Sequence, residues 1–207
     1  MKHLNQFITE YIIKKKLNKP IDSEYKYHPQ TKDELIENIK ELLYKKENDL
    51  NCIDTSAITD MSFLFLNINV IIDNIDVSNW DVSNVINMEG LFNNCKKFNC
   101  DLSKWDVSNV KDMSYMFYNC GNFDCDLSKW DVSKVENMYT MFEGCSKFKG
   151  KGLENWNVSK VENISYMFFD CINFDCDLSN WNVNNVKNME RMFYNCNLKN
   201  TPKWYKE

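Results

Sequence analysis

Histidine is almost missing from this chain: His3 and His28 are the only two in 207 residues, and both lie outside the repeat described below. A serine or cysteine nucleophile needs a base within hydrogen-bond reach, so catalysis by a Ser-His-Asp or Cys-His site is not expected. Five glycines and three prolines are too few for a β-protein made of many tight hairpins. No Gly-rich phosphate loop and no EF-hand spacing occur, and no apolar run approaches the ~20 residues that cross a bilayer. Residues 1–17 carry scattered apolar side chains and end in Lys14, Lys15 and Lys16, without the ordered regions of a secretory signal. The expected location is therefore cytoplasmic, surface or particle association requiring another route. Excess positive charge is also lacking. Residues 1–52 hold ten basic and nine acidic side chains, and 53–207 hold fifteen and twenty-one, for a net charge of −5. Such a surface repels phosphate backbones, so nucleic acid is not an expected partner.

What the chain does have is apolar mass and a repeat. Hydrophobic residues make up 43% and aromatics 14%, enough for a sizeable core. Tryptophans at 80, 105, 130, 156, 181 and 204 are spaced by 25, 25, 26, 25 and 23 residues. The text between them recurs nearly verbatim, as in WDVSNVKDMSYMFYNCGNFDCDLSK from Trp105, and a degenerate first copy starts at Ile53. The copy from Trp130 has one extra residue near Lys149–Gly152, where two glycines can absorb a bulge.

Each recurring column has a physical reading. Phe123, Cys125 and Leu127 alternate with Asp124 and Asp126, the period of a short strand. Met113, Met116 and Phe117 have the three-residue return of one helical turn. A unit of this size cannot bury its apolar side alone, so identical coils are expected to stack with their strands in a parallel sheet. Ser83, Ser108, Ser133 and Ser159, beside Asp81, Asp106 and Asp131, read as turn residues that satisfy nearby backbone amides.

The string WDVSNVxxMxxMFxxCxxFxxDLS resembles the BspA-like leucine-rich-repeat family over about three quarters of the chain. The resemblance implies a right-handed solenoid, a role in binding proteins or surfaces, and no catalysis. The chain departs from the family's pattern where Cys100, Cys125 and Cys176 stand in place of an amide or other polar residue. The expected fold is thus α/β: a right-handed leucine-rich-repeat-like solenoid with a parallel sheet and short helical turns, capped by N-terminal helices. Residues 1–52 are expected to form a helical cap, 53–204 six coils, and 205–207 a tail.

Within the cap, Thr31 and Glu34 form a capping box ahead of Leu35, Ile36, Ile39, Leu42 and Leu43, predicting an amphipathic helix over 31–46 on the first coil. Leu4, Phe7, Ile8, Tyr11 and Ile12 mark an earlier helix, read as a second capping element or as a docking or membrane-surface helix using its lysines. Pro202, Trp204 and Tyr205 are expected to plug the last coil.

Nine cysteines are present. Cys95, Cys120, Cys145, Cys171 and Cys196 each fall fifteen residues after Trp80, Trp105, Trp130, Trp156 and Trp181, so stacking makes both sets structural columns. Small thiols packed inside are the first reading; disulfide staples between coils and a thiol-based metal or redox site are the alternatives. No metal site and no cofactor is expected, because the cysteine pairs have four intervening residues and no histidine completes them. The expected function is a non-catalytic scaffold for a protein partner. Its specificity is placed at variable columns: Lys111, Glu136, Glu162 and Lys187 in one row, Tyr115, Thr140, Tyr166 and Arg191 in another. The alternative is a structural protein that self-assembles or stabilises a larger particle.

Overall fold

A computed structural model describes residues 25–66, 68 and 74–206; the expected helix around Leu4–Ile12 lies outside them. Every coil is a chain of tight turns. Asp or Asn side chains open three of them by accepting a backbone N–H two residues on. In coil 3 (105–129) these are Asp106 with Ser108 at 3.0 Å, Asp112 with Ser114 at 2.8 Å, and Asp126 with Ser128 at 3.0 Å. The serine column thus contributes its backbone amide, and the neighbouring carboxylate or amide oxygen accepts the bond.

Between these corners the Met-x-x-Met-Phe segment follows a different path from the helical turn expected there. Met116 N–H donates to the Met113 carbonyl at 3.2 Å, Tyr118 to Tyr115 at 3.0 Å and Cys120 to Phe117 at 3.0 Å. Tyr115 and Asn119 have φ of 56° and 57°, the left-handed third residue of a type II turn. This alternation turns every second N–H out of the coil, toward the next one. Tyr115 N–H donates to Tyr139 O at 2.9 Å, Phe117 to Met141 at 2.9 Å and Asn119 to Glu143 at 2.7 Å. The pattern recurs from coil to coil.

The expected sheet is therefore absent. The described residues contain no β-strand, and their helices are α1 (Lys32–Tyr44) and a 3-10 turn, Leu153–Asn155. Parallel pairing is reduced to isolated bridges: Asp60 to Asn87, then Asp112, Asn137, Asn163 and Asn188 in succession. The strand predicted at Phe123–Leu127 has the alternating burial its pattern implies, but apart from Leu127 N–H, which donates to Lys151 O at 3.2 Å, side chains take over its pairing. Asp124 N–H donates to Asn99 Oδ1 at 2.9 Å, and Lys149 N–H to Asp124 Oδ1 at 3.0 Å. A ladder needs backbone carbonyls as acceptors; here the Asx oxygens occupy that role. The leucine-rich-repeat sheet solenoid is replaced by a stack of turn-built coils.

The core is a set of columns running through the stack. Phe92, Phe117, Phe142 and Phe168 lie 5.6, 5.5 and 5.7 Å apart, centre to centre. Each also stacks within its own coil, on Phe98, Phe123, Phe148 or Phe174, at 3.9 to 4.4 Å. All eight rings are fully buried. The tryptophans fix the register: each indole N–H donates to a backbone carbonyl one coil earlier, from Trp80 to Leu50 at 2.9 Å through Trp204 to Leu178 at 2.9 Å.

At one end α1 covers the first coil. Thr31 accepts Glu34 N–H at 3.2 Å, while the Glu34 carboxylate accepts Gln30 N–H at 2.7 Å, one residue before the usual reciprocal partner. Leu35, Ile39 and Leu42 of α1 are fully buried. Tyr27 bridges to Ile53, and Asp49 to Asp76, adding a partial rung beneath the helix. At the other end Trp204 stacks on Trp181 at 6.4 Å and Pro202 is buried. That covers one side of coil 6 (181–203). Val183, Val186 and Met189 are only partly buried, whereas Val158, Val161 and Ile164 in coil 5 (156–180) are buried.

The extra residue of coil 4 (130–155) is absorbed at Gly150 and Gly152, with φ of 82° and 94°. A Cβ on Gly152 would meet the Ser128 backbone nitrogen at 2.3 Å. Gly152→Ala is accordingly expected to lower the unfolding midpoint in urea, and Phe142→Ala to cost about 3–5 kcal/mol through the cavity it leaves between stacked rings.

Candidate interaction face

Three columns, at nine, ten and thirteen residues after each coil's tryptophan, place variable side chains along the type II turns, the tyrosines outward and Ser114, Thr140 and Ser165 buried. The middle column reads Gly90, Tyr115, Thr140, Tyr166 and Arg191, all with positive φ between 49° and 58°. Glycine suits this conformation, while a bulky L-residue costs about 1–2 kcal/mol there. Only coil 2 (80–104) has the glycine, and its space is filled by the Phe63 ring: a Cβ on Gly90 would lie 2.3 Å from Phe63 Cε1.

These columns build a continuous aromatic strip. Tyr115 meets Tyr118 edge-on at 6.1 Å and Tyr139 at 5.0 Å. Tyr139 meets Tyr166 at 6.1 Å, Tyr166 contacts Phe169 at 5.8 Å, and Phe169 stacks on Tyr194 at 4.8 Å. Five of the six rings are partly exposed and Tyr194 is 52% exposed. Core phenylalanines of the same coils are fully buried, so the strip is a separate, outward layer.

Carboxylates are set among the rings. Glu143 lies between Tyr118 and Phe169 in its column, and its carboxyl is raised by burial, with the Thr140 hydroxyl working against this and the charge of Asp170 adding to it. Glu89 is raised by burial and then by Asp112 and Asp60. Burial first, then the Tyr139 hydroxyl and the charges of Tyr139, Glu143 and Glu89, pushes the Tyr115 phenol up to about 12. Glu190 differs: it accepts the Tyr166 hydroxyl at 2.9 Å and lies 3.8 Å from Arg191.

The two rows picked from sequence have different fates. Lys111, Glu136, Glu162 and Lys187 form a true row, each N–H donating to the carbonyl of the residue one coil before it. All four are exposed, and Lys187 pairs with Glu162 at 2.7 Å. Tyr115, Tyr166 and Arg191 reach the surface, whereas Thr140 is 2% exposed and offers a partner almost nothing. Sequence reasoning passed over Tyr118, Tyr139, Phe169, Tyr194, Glu89 and Glu143. Their columns vary from copy to copy, and only stacking makes their rings neighbours.

Other polar clusters are occupied by the fold itself. A shallow depression of about 460 Å³ is lined by Asn99, Asp101, Asp124, Cys125 and Asp126. Its carboxylates accept turn amides or lysines: Asp101 from Ser103 N–H, Asp124 from Lys149, Asp126 from Lys151. His28 Nδ1 lies 3.2 Å from Asp54, but the Ser56 hydroxyl donates to that same carboxylate at 2.6 Å. The imidazole is therefore not placed to take a proton from the serine. Among the described residues no group of three or more histidine, cysteine or acidic side chains is arranged to hold a metal ion, and no helix is long and apolar enough to cross a membrane.

The main cysteine column is internal. The thiols of Cys120, Cys145, Cys171 and Cys196 donate to the carbonyls of Phe92, Phe117, Phe142 and Phe168, at 3.0, 3.0, 2.9 and 2.7 Å. All nine cysteines are free. Burial raises Cys120, Cys145 and Cys171 well above the ordinary thiol value and pushes Cys95 and Cys196 to about 12. Cys100, half-buried, is pushed to about 11 by burial. Since the thiolate is the reactive form, iodoacetamide at pH 8 is expected to modify Cys52 and Cys100 first, burial having pushed Cys176 up to about 12. Cys120, Cys145 and Cys171 are expected to react only after denaturation, as read by peptide mass spectrometry.

No curated protein and no solved structure matches the chain. A family model does, over residues 34–152 and again over 121–205. The two placements overlap, as self-similar coils allow, and together span well over half of the sequence. With that coverage, on top of the recurring coil text, the chain belongs to the family described as Mycoplasma protein of unknown function, DUF285.

Proposed function

We propose that the chain is a non-catalytic scaffold that holds a protein partner on its aromatic strip. The observation that carries this reading is the placement of Tyr115 and Tyr166 at φ of 56° and 57°. Neither ring is needed to close the turn, since Gly90 closes the same turn in coil 2. Bulky residues held there at a cost of about 1–2 kcal/mol point to use rather than to folding. Tyrosine also suits recognition, offering a large rigid ring with a polar tip. The resemblance of the coil text to BspA-like repeats supports binding of proteins or surfaces.

The strip stands on a rigid base. Its backbone is tied to the coils on either side, so little conformational entropy is lost when a partner docks. A Tyr139→Ser, Tyr166→Gly double variant is expected to keep its thermal midpoint within a few degrees, because neither ring enters the core. Used as bait in extracts of the source cells, it is expected to lose the protein retained by the wild type, while Lys203→Ala keeps it. Equal retention by both variants would overturn the reading.

End-to-end assembly is a second reading, favoured by the incompletely buried Val183, Val186 and Met189 on coil 6. Sedimentation velocity separates the two. A coefficient constant over a hundredfold range of concentration is the result expected of the scaffold. Growth that Met189→Lys abolishes would put assembly first.

A further inference from the structure

The strip's carboxylates carry information about what docks there. We infer that the aromatic face takes an extended, lysine- or arginine-bearing segment of a partner protein, its cations seated between the tyrosine rings and Glu89 and Glu143. This rests on the scaffold reading and adds the chemistry of the partner.

Charge complementarity is the first argument. Glu89 and Glu143 are partly buried, and neither has a cation within ion-pairing distance among the described residues. Lys32, whose charge reaches Glu89, is itself engaged by Asp60 at 3.3 Å and Ser62 at 2.7 Å. The contrast with the rest of the surface is sharp. Asp101, Asp106, Asp126, Asp131 and Asp177 are all lowered by the turn amides, hydroxyls or lysine they accept from. The strip holds the carboxylates that burial and like charge push the other way, Glu89 and Glu143. A partly desolvated carboxylate without a counterion favours an arriving cation.

The rings provide the second argument. A lysine or arginine over a tyrosine face gains about 0.5–2 kcal/mol from the ring quadrupole. Both carboxylates act on Tyr115, so a cation near that ring meets the π-face and two acids together. An anionic or purely apolar segment would leave the acids unpaired in the interface, at several kcal/mol.

Spacing gives the third. Glu89 and Glu143 belong to coils 2 and 4, two rungs apart. At about 4.8 Å per rung that is roughly 10 Å. A peptide extended as polyproline II advances about 3.1 Å per residue with three residues per turn, so basic residues three apart share a face and reach both acids in turn. The backbone of such a segment would run along the stack axis, across the edge-to-face tyrosines.

The test uses the full chain and fluorescent ten-residue peptides, titrated by anisotropy at 150 mM salt. One carries lysines at positions 3, 6 and 9 in a Ser/Thr background; its control has glutamine at those positions. The lysine peptide is expected to bind at least tenfold more tightly than the glutamine control. Glu143→Gln is expected to weaken it about tenfold, and Tyr139→Ser to do likewise, while Asp101→Asn, on the depression beside Cys125, leaves it unchanged. Glu143→Gln removes a half-buried charge, so its folding is not at risk, and a raised melting temperature would itself indicate that the acid is there at a cost. Equal binding of the two peptides, or equal weakening by Asp101→Asn and Glu143→Gln, overturns the inference. If the peptides fail and the bait experiment still loses its partner with the tyrosine double variant, the scaffold reading stands and the cationic partner falls. If both fail, both fall.

Discussion

Everything in this protein depends on backbone hydrogen bonds passing from each coil to the next through turns that hold one residue left-handed. A peptide group in a buried stack must find a partner. Positive φ at Tyr115 and Asn119, and at their equivalents, turns alternate N–H groups along the stack axis, where the next coil's carbonyls receive them. This fixes the distance between coils. It also sets the phenylalanine columns at 5.5 to 5.7 Å in coils 3 to 5, close enough for ring on ring. The core is a consequence of the ladder as much as its cause.

The same geometry explains why thiols and tryptophans sit where they do. A buried carbonyl that already accepts a turn N–H in its own coil has a second lone pair, which a donor from the next coil can fill. Cys145 supplies one to Phe117 and Trp130 supplies one to Leu102. A thiol is small enough for the crowded inner corner, and an indole is large enough to fill the opposite one while keeping its N–H. Cysteine here is a weak hydrogen-bond donor with apolar bulk, and burial keeps it protonated. Its chemistry as a nucleophile or ligand is thereby suppressed.

The aromatic face follows from what the ladder does not use. The larger side chains at the outer turn columns meet one another between coils rather than the phenylalanine core. In coils 3 to 6 these columns include five tyrosines, a phenylalanine and two acids, with Ser114, Thr140, Ser165 and Arg191. Glu143 and Glu89 stand out because they are partly buried, while the fold supplies lysines to acids elsewhere on the stack: Lys149 to Asp124, Lys151 to Asp126, and Lys199 to Asp175. A surface that leaves two acids partly buried among rings has left a demand for positive charge.

Sequence alone determined the repeat, its Trp-based register, the buried columns and the α1 cap, because each rests on periodicity or on a local capping signal. Thr31 and Glu34 can be recognised without coordinates, as can Val107, Val110 and Phe117. Tertiary structure decided how the backbone satisfies itself. The alternation around Cys125 reads as a strand, but Asn99 and Asp124 side chains accept the bonds that a neighbouring strand would have taken. Met113, Met116 and Phe117 read as a helical turn, yet the left-handed Tyr115 breaks the helix and sends its N–H to the next coil. The aromatic face was equally out of reach of sequence: Tyr139 occupies a different column from Tyr115 and Tyr166, and only the stacking of coils at one fixed rise brings the three rings together.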